Sequence, residues 1–161
     1  MGNPPVVAQA VDSLIEPLHI VSSYGLFAVM TTERDEINIE GSDDGVEWPE
    51  YEFRYKPEDV TRRPGWNIPH KPRLAWQMWF AALEVPQHLP WLWRLFQRLL
   101  QNEPTVTALL DRNPFPVKPP FYLRAQFYDY TYSSSREKAR GIWWDRRLLG
   151  LYFPVVHLNR E

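Results

Sequence analysis

Two short stretches in the first half of the chain alternate polar and apolar residues with a period of two. The sequence EINIE at 36–40 places isoleucine between charged or polar residues, and residues 50–55 alternate charged residues with aromatic ones. Such spacing is typical of a β-strand with one buried face and one solvent face. The sequence GSDDG at 41–45 lies between them and is rich in turn-forming residues. The pattern predicts a β-hairpin with a long turn.

In the middle of the chain, apolar residues recur with the period of an α-helix. Residues 73–83 are apolar around most of a helical surface, which predicts a buried helix. Pro90 suits the first turn of a second helix, in which apolar residues recur at helical spacing as far as Leu100. A third helix is predicted from Pro104 to near Asp111.

The remaining segments favour strands and loops. Residues 19–27 are rich in β-branched and aromatic side chains, and residues 122–132 alternate, so both are predicted strands. The sequence predicts a solvated loop at residues 133–138, a short helix at 143–151 and a final strand at 153–158.

The order of these elements predicts a single α+β domain. We expect an antiparallel, β-sandwich-like sheet interrupted by a helical insertion. The expected boundaries are a lead-in at 1–18 and a domain at 19–161, with strands in 19–55, a helical insert in 73–111 and strands in 121–158.

The amino-acid composition excludes several kinds of functional site. The chain of 161 residues contains no cysteine, which excludes disulfides, Cys-ligated zinc and thiol nucleophiles. Its net charge of −2 gives no general attraction to nucleic acid. Neither a signal peptide nor an apolar run long enough for a membrane span is found, so we expect the chain as given to be soluble.

Charge is distributed unevenly. Residues 33–61 contain eleven acidic and three basic side chains, whereas residues 112–161 contain nine basic and four acidic ones. Two interpretations follow: the two segments face each other within one fold, or they form a dipolar surface that orients a partner.

Enzyme signatures are missing from the sequence. It contains no G-x-S-x-G elbow, no Walker loop and no dinucleotide fingerprint, and its four histidines are not spaced for zinc. His70 could act as an acid or base, or could pin its loop. The acidic residues of 40–47 could bind calcium, but a turn with solvated carboxylates fits them better. The sequence therefore predicts no enzyme, no cofactor and no metal site.

The tryptophans suggest a binding surface. Trp143 and Trp144 are adjacent, so on a regular element they point in different directions, and we expect at least one to be partly exposed. Together with Arg140, Arg146 and Arg147 they would form an adhesive patch for a partner protein. Trp66 and His70 are further candidates for partner contact. The alternative is that these aromatic residues belong to the core, which is the simpler account of Trp76, Trp79 and Phe80.

Several motifs together resemble the C-terminal region of the lipase maturation factor family. They follow one another over nearly the whole chain: SYGLF at 23–27, EINIEGSDDG at 36–45, EFRYKP at 52–57, PHKPRLAWQMWFAAL at 69–83, NPF at 113–115, YLRA at 122–125 and WW at 143–144.

The resemblance implies a folding-assistance domain without catalytic residues. Members of the family are multi-pass membrane proteins that end in this domain, and in animals they act in the endoplasmic reticulum on secreted lipases. The expected clients are lipases or other exported proteins. The membrane-spanning part is missing from this chain, and the absence of cysteine suits a bacterial relative placed at the cell membrane.

Two other functions remain open at this stage. The predicted hairpin is similar to the start of galactose-binding-like β-sandwiches, which favours a module that binds carbohydrate or lipid head groups. The domain could instead be a structural cap on its own membrane helices.

Overall fold

Five antiparallel strands form two sheets in residues 33–66 and 72–158, the part of the chain that the computed structural model describes. The strands of the larger sheet are arranged in the order β1-β4-β5, and β2 pairs with β3 in the smaller one. Their bounds are β1 Asp35–Ser42, β2 Glu52–Phe53, β3 Leu110–Arg112, β4 Tyr122–Tyr132 and β5 Trp144–His157.

Helices cover one face of the larger sheet. Four α-helices occur in the described residues: α1 Arg73–Ala81, α2 Pro90–Leu100, α3 Pro104–Thr107 and α4 Ser135–Lys138. A 3₁₀ turn at Pro86–His88 connects α1 to α2. This mixture of helices with antiparallel sheets confirms the predicted α+β class. The sandwich-like, galactose-binding-like arrangement stays a prediction.

The core lies between the helices and the apolar face of the larger sheet. Ile37 on β1 lies opposite Phe127 on β4, and Ile39 lies opposite Ala125, so both strands present apolar side chains on the same side. β4 has the bounds that its alternation predicts. The buried core also includes Tyr51, Phe53, Met78, Leu92, Leu95, Phe96, Leu99, Leu100, Leu110, Leu123 and Phe153.

Helix α2 follows its sequence pattern closely. Pro90 is at the first turn, where its missing N–H costs nothing. The leucines and Phe96 form the buried side of the helix, and its arginines face solvent. The ring of Phe96 packs 4.8 Å from that of Phe153 on β5, which fixes α2 against the sheet.

Helix α1 is less buried than predicted. Only Ala75, Met78 and Ala81 are buried, and Trp76 is 40% exposed. The aromatic rings of this helix instead pack on one another, with centroid separations of 5.1–6.1 Å. Met78 and Ala81 join the core cluster, so the small and flexible side chains of α1 provide its buried contacts.

The predicted hairpin after β1 is only partly formed. The chain returns beside β1, where the N–H of Gly41 donates to Pro49 O and the N–H of Tyr51 donates to Ile39 O at 2.9 Å. The chain then leaves β1, because β2 pairs with β3 from the far side of the helical segment. The helices are thus inserted between two strands that pair, which agrees with the predicted insertion.

Three predictions of local structure are wrong. The third helix ends at Thr107 instead of near Asp111, because residues 110–112 pair with β2 as β3. The solvated loop at 133–138 contains the one-turn helix α4, stabilised by a capping box between Ser134 and Glu137. Residues 143–151 are part of strand β5 and not a helix, because pairing with β4 extends along the segment.

Two segments of the prediction lie outside the described residues, namely the lead-in at 1–18 and the strand at 19–27. The described residues, 33–66 and 72–158, belong to one compact unit. No helix among the described residues is both long and apolar enough to cross a bilayer.

Candidate functional site: the buried polar face of the sheet

The second face of strand β1 is polar and buried. Glu36, Asn38 and Glu40 are 1%, 0% and 5% exposed, respectively. The prediction that these residues face solvent is therefore wrong. Residues 49–62 cover much of this face, and they bring their own charged side chains with them.

Lys56 is the central residue of segment 49–62, which covers the polar face of β1. Its Nζ donates to the backbone oxygen of Ile37 at 2.6 Å and lies 3.1 Å from Glu58 Oε1 and 3.4 Å from Glu36 Oε2. The Tyr51 N–H pairs with Ile39 O, and the next outward-facing carbonyl of β1 is that of Ile37. The ammonium group therefore takes the place of a backbone N–H at the edge of β1.

An unusual backbone conformation at Tyr55 precedes Lys56. Its φ of 65° lies in the left-handed region, which bulky residues rarely adopt. The N–H of Lys56 donates to Phe53 O across this turn. Strained residues of this kind persist when the surrounding contacts hold them in place, and the buried contacts of Lys56 provide such a constraint.

Burial and the neighbouring opposite charges shift the pKa values of Lys56 and Glu58 in opposite directions. Burial alone lowers the pKa of Lys56, but the carboxylates of Glu58 and Glu36 outweigh it, so the pKa lies above its ordinary value and the ammonium stays charged. Burial raises the pKa of Glu58 to about 7, although Lys56 opposes the shift. Glu36 has a second cation, Arg34, whose Nε lies 3.1 Å from Glu36 Oε1.

A second set of polar contacts connects β1, β4 and β5. Asn38 donates to the hydroxyl of Tyr130 at 2.8 Å and to Glu50 at 3.2 Å. Arg146 reaches both oxygens of Glu50, at 2.8 and 3.0 Å, and also donates to Glu58 O. These bonds tie the segment that carries Glu50 and Glu58 to the middle of the sheet.

Arg124 lies further along the same face. Its Nε donates to Glu40 at 2.6 Å, and its guanidinium is 4.0 Å from the ring of Trp48. Burial raises the pKa of Glu40 in spite of this arginine. The Trp48 indole N–H donates to Gly45 O, which holds the ring against the turn that follows β1.

The acidic and basic segments of the sequence therefore face each other, as the first of the two charge interpretations predicts. Three salt bridges join them: Arg124 with Glu40, Arg146 with Glu50, and Arg112 with Glu52. Three of the eleven acidic side chains of residues 33–61 are thus paired with the basic segment.

Two of the predicted contact residues have partners inside this structure. Trp144 is only 4% exposed, stacks on Tyr132 with 4.5 Å between ring centroids, and donates its indole N–H to Arg62 O. Arg146 belongs to the polar network described above, and its side chain is 32% exposed. Trp144 therefore offers little surface to a partner, whereas Arg146 is only partly covered.

The other predicted contact residues differ in their exposure. Trp143 is half-buried with Arg63 5.2 Å from its ring, and Arg147 is largely exposed with a salt bridge to Asp129. Trp66 is 82% exposed. His70 lies outside the described residues.

Hydrogen bonds within the acidic turn after β1 account for the position of Asp44. Asp44 Oδ1 accepts from the N–H groups of Val46 and Glu47 and from Ser42 Oγ, and these hydrogen bonds lower the pKa of Asp44. Asp43 and Glu47 are exposed. Within residues 33–66 and 72–158, no cluster of three His, Asp or Glu side chains is arranged to hold a metal ion.

Sequence reasoning missed the buried polar face. A period of two shows that the two sides of β1 differ, but it does not show whether the polar side meets solvent or other polar groups. The density of acidic residues in 33–61 was the available signal, because so many carboxylates in one segment need cations nearby.

The fold and this face define a small α+β domain with a layer of ion pairs on one side of an antiparallel sheet. A model of the lipase maturation factor C-terminal domain matches residues 20–154 of the chain. The chain belongs to the lipase maturation factor family.

Individual members of the family support this assignment. The chain is 46% identical to lipase maturation factor 2 of Rattus norvegicus over 158 residues, 41% identical to lipase maturation factor 1 of Bos taurus over 157 residues, and 38% identical to lipase maturation factor 1 of Homo sapiens over 160 residues. These matches cover 92–94% of the chain but only 22–28% of the relatives. No solved structure matches the chain.

Replacing Lys56 with methionine should be strongly destabilising. It leaves Glu36 and Glu58 buried with one cation fewer, and breaking a buried ion pair in this way costs about 3–5 kcal/mol of unfolding free energy. Urea denaturation of Lys56→Met and of Lys118→Met, an exposed-lysine control, measures the difference. The control should change by less than about 1 kcal/mol. Equal stabilities of the two variants would show that the buried contacts of Lys56 contribute little.

The pKa of Glu58 predicts a specific dependence of stability on pH. It is raised from 4.5 to about 7 in the fold, so the folded state binds the proton more tightly than the unfolded chain. This contribution is fully present below pH 4.5 and is lost as the pH rises through 7. Glu58→Gln cannot ionise, so its stability relative to the parent chain should increase by about 1–3 kcal/mol between about pH 5 and pH 8. Parallel stability curves for the two proteins would contradict this.

Proposed function

We propose that this domain assists the folding of lipases or other exported proteins by binding their exposed apolar surface, without catalysing a reaction. The names of its relatives, lipase maturation factors 1 and 2, supply the class of client. The observation that carries the proposal is a strip of exposed leucines along strand β5.

Strand β5 lies at the edge of the larger sheet and pairs only with β4 among the described strands. Leu148, Leu149 and Leu151 are 54%, 45% and 56% exposed, and Val155 follows at 48%. Exposed apolar side chains at this density on one strand are typical of a protein-binding surface.

The irregular pairing of β5 favours contact through side chains. Leu148 pairs with Tyr128 and Gly150 pairs with Phe127, so Leu149 is an extra residue in the ladder. A bulge of this kind hinders the continuous addition of a partner strand to the edge. We therefore propose that the leucine side chains, and not the backbone of β5, make the main contact with a client.

A groove beside the end of β5 adds apolar surface. Trp93 on α2 and Tyr152 on β5 line it together with Phe153 and three prolines, and its volume is about 450 Å³. Tyr152 donates its hydroxyl to Ala81 O at 2.6 Å, which fixes its ring at the rim. An apolar side chain of a client would fit this space.

The sequence-predicted contacts fit this proposal unequally. Arg147 directly precedes the leucine strip, and Trp143 lies just before β5, so both are proposed as secondary contacts. Trp66 and His70 keep the same proposed role. Trp144 and Arg146 are proposed to support the start of β5 through their contacts with Arg62 and Glu50.

Mutation of the leucine strip tests the proposal. The 161-residue chain should suppress aggregation and increase recovered activity when a denatured dimeric lipase is diluted from urea. The double variant Leu148→Ser and Leu151→Ser should lose most of this effect, because it removes two exposed side chains that would cover client apolar surface. Light scattering and recovered lipase activity provide the two readouts.

A matched variant provides the control. Val46→Ser with Val117→Ser removes apolar side chains that are at least as exposed, 78% and 93%, outside both β5 and the groove. It should retain the activity of the parent chain. Equal loss in both variants, or no suppression of aggregation by the parent chain, would contradict client binding through β5.

A further inference from the structure

We propose that the connection between β4 and β5 is a docking surface for membranes that contain anionic phospholipid. The surface consists of Arg136, Lys138 and Arg140, with Tyr132, Ile142 and Trp143 between and beside them. This inference concerns a different surface and a different class of partner from the leucine strip. The two can therefore fail separately.

The charge of this surface is positive, like that of the segment 112–161 to which it belongs. Between Ser133 and Trp143 the sequence contains three basic residues and one acidic residue, whereas the whole chain has a net charge of −2. The acidic residue, Glu137, accepts hydrogen bonds from the backbone and side chain of Ser134 as part of the capping box of α4. Its carboxylate is held by these hydrogen bonds and also interacts electrostatically with Arg140, so the segment keeps a positive balance of two charges.

The three cations have no salt bridge within the described part of the chain. Arg112, Arg124 and Arg146, by contrast, are all paired with carboxylates. Arg63, which also lacks a salt bridge in the described residues, adds a fourth positive charge beside Trp143. Unpaired cations at one place on the surface attract a negatively charged partner.

Aromatic and apolar groups lie among these charges. Tyr132 is 62% exposed with Lys138 5.2 Å from its ring, and Ile142 is 38% exposed. The ring of Trp143 is half-buried under Arg63. Tyrosine and tryptophan next to lysine and arginine are the side chains that favour the boundary between lipid head groups and acyl chains.

The geometry favours a membrane over an acidic protein. Arg136 and Arg140 make no side-chain hydrogen bond in the described structure, so they are not held in the forked arrangement that recognises a particular carboxylate. Among the residues that the structure describes, the side chain of Lys138 interacts only with the ring of Tyr132. Long, unrestrained cations suit the diffuse negative charge of a lipid surface.

Vesicle co-sedimentation tests the proposal with the 161-residue chain. The chain should bind vesicles of equal parts phosphatidylcholine and phosphatidylserine, bind pure phosphatidylcholine far less, and lose affinity as salt is added. The triple variant Arg136→Gln, Lys138→Gln and Arg140→Gln should bind the anionic vesicles about 100-fold more weakly, because each cation contributes roughly a factor of five. Tyr132→Ser should weaken binding several-fold at unchanged charge.

A second triple variant separates this surface from net charge. Arg73→Gln, Arg94→Gln and Lys118→Gln changes the charge equally at exposed positions elsewhere and should retain most of the binding. Circular dichroism confirms that both variants are folded. Equal losses in the two variants would overturn the proposal. Capture of the chain by immobilised polyglutamate without binding to anionic vesicles would overturn it in favour of an acidic protein.

Discussion

The ammonium group of Lys56 is the contact on which the arrangement of this domain depends most. It lies between two buried carboxylates and also completes a hydrogen bond at the edge of β1. A charge in such a place is costly unless opposite charges and hydrogen-bond acceptors surround it. Both conditions are met only if residues 49–62 lie on β1, so the ion contacts specify how this segment covers the sheet.

Segment 49–62 in turn positions the beginning of β5. Val60 O accepts hydrogen bonds from the N–H groups of Trp143 and Trp144, and Arg62 O accepts the indole N–H of Trp144. The strand that carries the exposed leucines, and the connection that carries the unpaired cations, therefore both rest on the segment that Lys56 anchors. The buried contacts of Lys56 thus help to position both proposed partner surfaces, the leucines of β5 and the cations between β4 and β5.

Sequence patterns predicted the elements whose stability is mainly local or whose two faces differ clearly. Helix α2 has a proline at its start and a regular apolar face, and β4 alternates over its whole length, so their bounds were predictable. Strand β5 was not, because its form depends on pairing with β4 and its bulges break the alternation. The same limit explains β3, which is a strand only because it meets β2.

The candidate sites were predictable only in part. The adjacent tryptophans predict a contact surface near the start of β5, but sequence alone could not show that Trp144 points inward and that Arg146 pairs with Glu50. The roles of Lys56 and Glu58 depend on contacts with β1 that no local period reveals. Recognition of the family, in contrast, rested on an ordered series of motifs, and the matching family model confirms it.

Amide hydrogen exchange tests the central claim, that residues 49–62 form a fixed cover on the sheet, most directly. The informative amides are those of Tyr51, which donates to Ile39 O, and Trp143, which donates to Val60 O. The account predicts that both exchange about as slowly as the amides of the β1–β4 ladder. Exchange as fast as that of the exposed turn at residues 43–46 would contradict it.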